Sequence, residues 1–226
     1  MEITMYDTLL QLPLFQGLCK DDFTNIIEKV RFHFHQLNAG ETIVKQGDTC
    51  DRLIFLLDGE IISHTTNDKL GYRLSEIHSA PFVIEPYSLF GMQTCYTANY
   101  MAHTSVQLLT IDKQFILSEL NNYEIFRINY LNIISNRCQT TANKLCNSFT
   151  GNIKEKFSSF FLLRSTKPEG EKTLRITMED LATLIGETRI NVSKLLNDLQ
   201  KRGIIQLKRK EIFIPSLDKL LKDLGY

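Results

Sequence analysis

The spacing of hydrophobic positions changes twice along the chain. Up to about residue 30 the apolar residues recur at helical spacing, which predicts short helices. From there to Ile111, short β-branched and aromatic runs alternate with turn residues, and the segment 53–62, with Asp58-Gly59 at its centre, predicts a β-hairpin. Strands this short and this frequent predict an antiparallel β-roll that is similar to a jelly roll.

A long helix is predicted after Asp112, because residues 113–149 contain neither glycine nor proline. A helix of about 25 residues is about 40 Å long, which is more than the roll needs as a cover. We therefore expect a long dimerisation helix that lies against the same helix of a second copy. Its apolar stripe, which weakens after the last of these positions, consists of Phe126, Tyr130, Ile133 and Ile134.

The pattern of residues 177–199 is typical of a helix-turn-helix. Thr177 resembles the first residue of a capping box, Gly186 stands where the chain turns sharply, and Thr188 can cap the second helix. In the second helix the apolar residues fall on one face, so that face points inward. The opposite face carries side chains suited to the edges of a DNA groove, namely Arg189, Ile190, Ser193, Lys194 and Asn197.

Two short strands, 204–207 and 211–214, follow this helix and enclose a basic turn. A basic β-turn beside a recognition helix is a wing that can contact phosphate. A solvated helical hairpin would show similar apolar spacing, but the order of cap, turn glycine, helix and basic hairpin favours a winged helix-turn-helix. The residues expected to contact the DNA backbone are Thr188, Asn197, Lys201, Arg202, Lys208, Arg209 and Lys210.

The net charge of zero conceals an asymmetry between the two parts of the chain. Residues 1–149 hold 11 Lys and Arg against 16 Asp and Glu, whereas residues 150–226 hold 15 against 10. This distribution predicts that only the second part meets a polyanion. The N-terminus lacks the basic run of a secretory signal, and no apolar stretch approaches the length of a bilayer span. We therefore expect a cytoplasmic protein without membrane contact.

Catalytic and metal-binding patterns are missing from the sequence. The five cysteines are scattered and form no C-x-x-C pair, which indicates neither a disulfide framework nor a metal site. The sequence also lacks G-x-S-x-G, H-E-x-x-H and a phosphate-binding loop, so we do not expect an enzyme.

Over nearly its whole length the chain resembles the Crp/Fnr family of bacterial transcription regulators. The similarity rests on Pro13-Leu14-Phe15-Gln16-Gly17-Leu18, on the segment from Ala39-Gly40-Glu41 to Asp58-Gly59-Glu60, and on residues 181–205. It implies an α+β fold in three parts. These are a cyclic-nucleotide-binding-like sensor roll over 1–112, a long dimerisation helix and hinge over 113–149, and a winged helix-turn-helix DNA-binding domain over 150–226.

The resemblance also implies partners. Regulators of this family bind double-stranded DNA as homodimers, with two recognition helices in successive major grooves about 34 Å apart on a pseudo-palindromic site. RNA polymerase is a further candidate partner. The opposing hypothesis is an effector-binding module whose C-terminal domain contacts protein. The polar and basic outer face of the second helix favours DNA, because protein-binding surfaces more often expose apolar anchors.

The resemblance assigns the reading of DNA bases to four residues of the second helix, namely Arg189, Ile190, Ser193 and Lys194. The commonest family pattern has Glu at the position of Ile190 and Arg at the position of Lys194. Glutamate accepts a hydrogen bond from cytosine N4, whereas isoleucine offers only an apolar contact, for instance to a thymine methyl. Lysine lacks the bidentate fork of arginine. We therefore expect a half-site that differs from TGTGA and TTGAT.

The effector pocket implied by the resemblance is degenerate. Nucleotide-binding members supply a Glu for the ribose hydroxyl after a Phe-Gly pair, and then Arg with Ser or Thr for the cyclic phosphate. In this chain Met92 takes the Glu position, Tyr96 stands near the Arg position, and Thr97 lies beside it. Without the guanidinium, no positive charge offsets the free-energy cost of burying the phosphate. We therefore do not expect control by cyclic AMP.

Other effectors stay open. An iron–sulfur cluster needs several N-terminal cysteines and only Cys19 lies there, so we do not expect one. Five histidines and two methionines supply candidate haem ligands but form no pattern. Haem or nitric-oxide sensing, a small organic effector, and the absence of any effector are therefore the alternatives.

Overall fold

The short strands that the sequence predicts are present in the computed structural model of the chain, which describes residues 5–146 and 151–225. The strands of these described residues are β1 (His33–Leu37), β2 (Thr42–Val44), β3 (Arg52–Asp58), β4 (Glu60–Asn67), β5 (Tyr72–Ser79), β6 (Phe82–Ile84), β7 (Asn99–Ala102), β8 (Val106–Asp112), β9 (Lys172–Arg175), β10 (Gln206–Lys208) and β11 (Glu211–Ile214).

The α-helices of the described residues are α1 (Met5–Leu10), α2 (Lys20–Lys29), α3 (Lys113–Ser118), α4 (Glu124–Cys146), α5 (Ile153–Arg164), α6 (Met178–Ile185), α7 (Arg189–Lys201) and α8 (Leu217–Leu224). The prediction of a long helix is confirmed by α4, which has 23 residues. No helix in the described part of the chain is both long and apolar enough to cross a membrane.

Contacts divide the chain into two units. The first comprises Met1–Ile62 and His78–Cys138, and the second comprises Ser63–Ile77 and Gln139–Tyr226. No sequence pattern indicates that residues 63–77 belong with the C-terminal residues. The domain boundaries at residues 112 and 149 stay predictions.

The first unit is built on an antiparallel sheet of order β1-β8-β3-β6, and β7 and β2 belong to a second sheet, in which they follow β4. The apolar positions of β3 and β8 are buried because both strands lie in the interior of this sheet. An aromatic group occupies the centre of the core, where the Phe15 ring lies 5.6 Å from each of the rings of Phe23, Phe55 and Phe126.

The predicted hairpin around Asp58-Gly59 is wrong. The neighbours of β3 are β8 and β6, whereas β4 belongs to the other sheet. Gly59 is therefore the corner at which the chain passes from one sheet to the other. Its φ is +87°, and a Cβ atom there would lie 2.4 Å from the carbonyl oxygen of Ser105, so only glycine fits this corner.

The second unit combines α5–α8 with the antiparallel strand order β10-β11-β9-β5. Residues of β5 take part in its core, because Tyr72 and Leu74 are buried there and the Tyr72 ring lies 5.9 Å from the Phe160 ring. The helix α5 begins with a complete capping box between Asn152 and Glu155. Strand β5 thus extends the sheet that carries the predicted wing.

Candidate nucleic-acid interface and effector pocket

The predicted caps of the helix-turn-helix are present. The Thr177 hydroxyl accepts a hydrogen bond from the backbone N–H of Asp180 at 3.1 Å, at the start of α6. This helix ends at Gly186, which has a left-handed φ of 64°. The Thr188 hydroxyl then accepts from the backbone N–H of Asn191 at 3.3 Å and begins α7. Local sequence signals therefore fix both ends of the turn.

The turn is also held from α5. The Lys156 ammonium lies 2.7 Å from a carboxylate oxygen of Glu187 and donates to the carbonyl of Gly186 at 3.3 Å. The hydrogen bond from Lys156 lowers the pKa of the Glu187 carboxyl below its ordinary value. This contact orients the residues that precede α7.

The two faces of α7 differ as predicted. The inward residues Val192, Leu195, Leu196 and Leu199 are buried. On the outer face Arg189, Ile190 and Lys194 are exposed, and Ser193 is half-buried. The Asn197 amide donates to the Ser193 hydroxyl at 3.3 Å. Ile190 is 68% exposed, so an apolar side chain stands among polar and basic ones at the start of this helix.

The basic wing is formed by β10, β11 and the turn between them, in which Lys208 pairs with Glu211 across the strands. Arg209 and Lys210 are exposed at the tip. Lys210 has a left-handed φ of 58°, a conformation that favours glycine or asparagine. Arg175 in β9 also belongs to this surface, because its guanidinium lies 2.9 Å from the Glu211 carboxylate. In the sequence, only the position of Arg175 shortly before the helix-turn-helix indicates that it belongs to this surface.

Arg202 has partners inside the second unit. Its guanidinium lies 2.8 Å from the Asp198 carboxylate and 2.6 Å from that of Asp223. These two acids neutralise its charge and fix its side chain against α8. The expectation that Arg202 contacts the DNA backbone is therefore weaker than for Lys201, which is exposed at the end of α7.

The predicted stripe of α4 faces the core of its own unit. Phe126 is buried there, Tyr130 and Ile133 pack against the same core, and the Tyr130 hydroxyl donates to the carbonyl of Pro86. Phe126 is thus wrong as a dimer contact, since a partner cannot reach it. Ile134 is half-buried. Among the side chains of this helix that the structure describes, Ile125, Ile128 and Leu131 are large, apolar and exposed.

The three residues of the predicted effector pocket do not share one environment, because Met92 and Thr97 are exposed and Tyr96 is buried. The side chain of Met92 is fully exposed, so its assignment to the pocket is wrong: the segment after Gly91 lies on the surface. Tyr96 is buried in the core, with its hydroxyl 3.5 Å from the carbonyl oxygen of Arg52. Burial raises the pKa of the Tyr96 phenol and of the neighbouring Cys50 thiol above their ordinary values.

Thr97 binds a carboxylate that no sequence motif indicates. The backbone N–H and the hydroxyl of Thr97 each donate to Glu85 at 2.8 Å. Glu85 is only 2% exposed and has a left-handed φ of 36°, a conformation that costs a non-glycine residue about 1–2 kcal/mol. An acid between an apolar strand and Pro86 was the available sequence signal.

Across residues 5–146 and 151–225, no three His, Cys, Asp or Glu side chains are grouped so that they could hold a metal ion.

Two family models match the chain. The model of the cyclic nucleotide-binding domain matches residues 34–123, and the model of the Crp-like helix-turn-helix domain matches residues 156–222. The first match covers most of the strands of the first unit, and the second covers the helix-turn-helix and the wing.

Similar curated proteins are bacterial regulators. Over 195 residues the chain is 24% identical to the "CRP-like cAMP-activated global transcriptional regulator" of Mycobacterium tuberculosis, covering 81% of this chain and 84% of that protein. It is 23% identical over 195 residues to the "Global nitrogen regulator" of Synechocystis, covering 78% of this chain and 82% of that protein.

Solved structures share the fold. The catabolite activator protein of Thermus thermophilus matches with a TM-score of 0.53 at 20% identity, over 94% of this chain and 98% of that one. A regulator of the Crp/Fnr family from Eubacterium rectale matches with a TM-score of 0.53 at 17% identity, over 93% and 98%. The predicted fold class, an antiparallel roll, a long helix and a winged helix-turn-helix, is confirmed.

Proposed function

Because the chain belongs to the Crp/Fnr family of DNA-binding transcriptional regulators, we propose that it binds a pseudo-palindromic DNA site as a homodimer, through α7 and the wing of each copy. The observation that carries this proposal is the outer face of α7. There, exposed Arg189, Ile190 and Lys194 lie on a capped helix whose other face is buried. Such a helix is rigid enough to hold its side chains against base edges.

Each side chain of this face has a role that its chemistry supports. The Arg189 guanidinium and the Lys194 ammonium donate hydrogen bonds to guanine or phosphate. Ile190 offers its methyl groups to a thymine methyl, and the Ser193 hydroxyl donates or accepts. The exposed charges of Arg209 and Lys210 then contact phosphate beside the groove.

The homodimer is proposed to form along the exposed side of α4. Ile125, Ile128 and Leu131 recur three apart on the side opposite Phe126, which is buried in the core. An apolar row of this kind fits a second copy of the same helix. This seam replaces the stripe that the sequence predicted.

Cyclic AMP is not part of the proposed mechanism. The side chain near the family's arginine position, Tyr96, is buried and carries no positive charge to hold a cyclic phosphate. We propose that the protein acts in the cytoplasm by binding rather than by catalysis. RNA polymerase is a candidate partner of the DNA-bound dimer.

The test begins with selection of binding sites from random DNA, followed by titration of the selected site over a salt series. The affinity is expected to fall roughly 10³-fold or more between about 50 and 200 mM salt, because phosphate contacts release counterions. An Arg209→Gln variant should flatten this dependence, whereas Lys20→Gln, which removes the same charge from the first unit, should not. Failure to select any DNA sequence would favour a C-terminal domain that contacts protein.

A further inference from the structure

Glu85 is a buried carboxylate held entirely by neutral donors. One of its oxygens accepts from the Thr97 backbone N–H and from the Ser88 hydroxyl, and the other accepts from the Thr97 hydroxyl, each at 2.8 Å. Within the described residues, no lysine, arginine or histidine forms an ion pair with it. Burial of a carboxylate is unfavourable unless its oxygens are hydrogen-bonded, so these three donors are what keeps it inside.

The backbone at Glu85 is shaped for this contact. Its left-handed conformation, with φ 36° and ψ 55°, is one that a side-chain-bearing residue keeps only where its surroundings hold it. Here the hydrogen bonds of the carboxylate do so, together with the bond from the Ser88 N–H to the Glu85 carbonyl at 2.9 Å. The hydrogen bonds of the carboxylate to Thr97 and Ser88 thus offset the unfavourable backbone conformation of Glu85.

The donors around Glu85 form a cradle of the kind that binds a free anion. A backbone N–H and two hydroxyls converge on two oxygen atoms, which is the arrangement that a small carboxylate needs. Thr97 is exposed, so the cradle lies at the surface of the unit and is not sealed within it. Thr97 is also one of the residues predicted to line an effector pocket.

We propose that the Glu85 carboxylate is a built-in ligand, which fills a binding site for a small carboxylate formed by Thr97 and Ser88. A free carboxylate effector cannot use these donors while Glu85 holds them. This part of the first unit is therefore permanently in a ligand-occupied form, and any external signal must act elsewhere.

The proposal is tested by vacating the cradle and offering a free carboxylate. A Glu85→Gly variant removes the side chain and also suits the left-handed backbone, so it empties the cradle without straining the chain. Its thermal unfolding is measured in sodium formate, sodium acetate and sodium chloride at equal ionic strength. Formate and acetate are expected to raise the Tm by about 3–5 °C at roughly tenfold the dissociation constant, and further in proportion to the logarithm of their concentration. Chloride is expected to have no such effect.

Two further variants separate binding in the cradle from a general salt effect. The Glu85→Gln variant keeps the cradle filled with a side chain of the same shape and is expected to show no response, like the wild type. Adding Thr97→Val to Glu85→Gly removes one donor. The double variant should need at least a fivefold higher formate concentration for the same rise in Tm. An equal rise in Tm in all these proteins, or a full response without the Thr97 hydroxyl, would overturn the proposal.

A second measurement remains decisive if Glu85→Gly does not fold. In 15N spectra of the wild type and of Glu85→Gln, the Thr97 amide proton is expected to move upfield more than any other amide outside residues 84–89, because its charged acceptor becomes neutral. An unmoved Thr97 amide contradicts the proposal. None of these experiments uses DNA, so their failure would leave the DNA-binding proposal intact.

Discussion

Lys172 and Glu76 form an ion pair in the interior of the second unit, with 2.9 Å between Nζ and Oε1 and only 2% of each side chain exposed. The two residues face each other across the pairing of β5 with β9. The Glu76 carboxylate also accepts from the N–H and the hydroxyl of Thr166 at 2.9 to 3.0 Å. This group of polar contacts ties residues of β5 to the sheet that carries the wing.

Breaking this ion pair on one side is expected to destabilise the protein strongly. Lys172→Met leaves the Glu76 carboxylate buried without its cation, which should lower the free energy of unfolding by about 3–5 kcal/mol. The double variant Glu76→Gln with Lys172→Met removes both charges and should lose clearly less than the sum of the two single changes. Urea unfolding followed by circular dichroism measures all four proteins, and strictly additive losses would contradict the coupling.

Ile190 is expected to determine part of the half-site. An Ile190→Glu variant exchanges an apolar contact for an acceptor, so random-site selection should return cytosine where the wild type selects thymine. Binding to the wild-type site should weaken by about 1–3 kcal/mol, or roughly 5- to 150-fold. As a control, Lys194→Arg keeps the donor and should leave the base preference opposite Ile190 unchanged. An identical selected sequence for wild type and Ile190→Glu would show that this side chain does not read bases.

Lys210 is expected to lower the stability of the fold and to raise the affinity for DNA. Its left-handed backbone is better suited to glycine, so Lys210→Gly should raise the free energy of unfolding by up to about 1 kcal/mol. The same change removes a phosphate contact and should reduce the slope of log K against log salt by about 1 for each copy. Lys210→Asn also suits this backbone and should behave alike. An unchanged salt slope in both variants would exclude Lys210 from the interface.

The proposed dimer seam predicts opposite effects of two neighbouring residues of α4. Leu131, which is 62% exposed, is expected to contact the partner, so Leu131→Asp should yield a folded monomer in sedimentation experiments. Phe126→Ala should instead destabilise the fold, by about 3–5 kcal/mol, because its ring is buried in the core. Asn25→Asp adds the same charge at an exposed position of α2 and should stay dimeric. A dimeric Leu131→Asp variant would place the interface elsewhere.

The winged helix-turn-helix could be predicted in detail because its signals are local. The caps Thr177 and Thr188 and the left-handed Gly186 act within three or four residues of themselves, so the sequence alone locates both helices. The helical period likewise identified the buried face of α7. The spacing of apolar residues shows which face of a helix is buried, but it does not show which surface that face packs against. The stripe containing Phe126 is a real stripe, but it covers the core of its own unit.

Long-range contacts explain the other differences. Asp58-Gly59 has the composition of a hairpin turn, and only the approach of Ser105, far along the chain, makes Gly59 a corner between sheets. In the same way, the position after Phe90-Gly91 predicts a pocket residue at Met92, whereas the side chain that contacts Thr97 is Glu85, which precedes Pro86. The pairing of β5 with β9 joins residues about 100 positions apart and has no local signal.

The spacing of half-sites tests the central claim most directly. If two copies of α7 enter successive major grooves of one DNA face, the selected site must contain two inverted half-sites about one helical turn apart. Inserting about 5 base pairs between them turns one half-site to the opposite face and should abolish tight binding, whereas inserting about 10 should restore part of it. Fluorescence anisotropy at fixed salt measures the three sites. Equal affinity for all three would contradict a dimer that reads DNA through paired recognition helices.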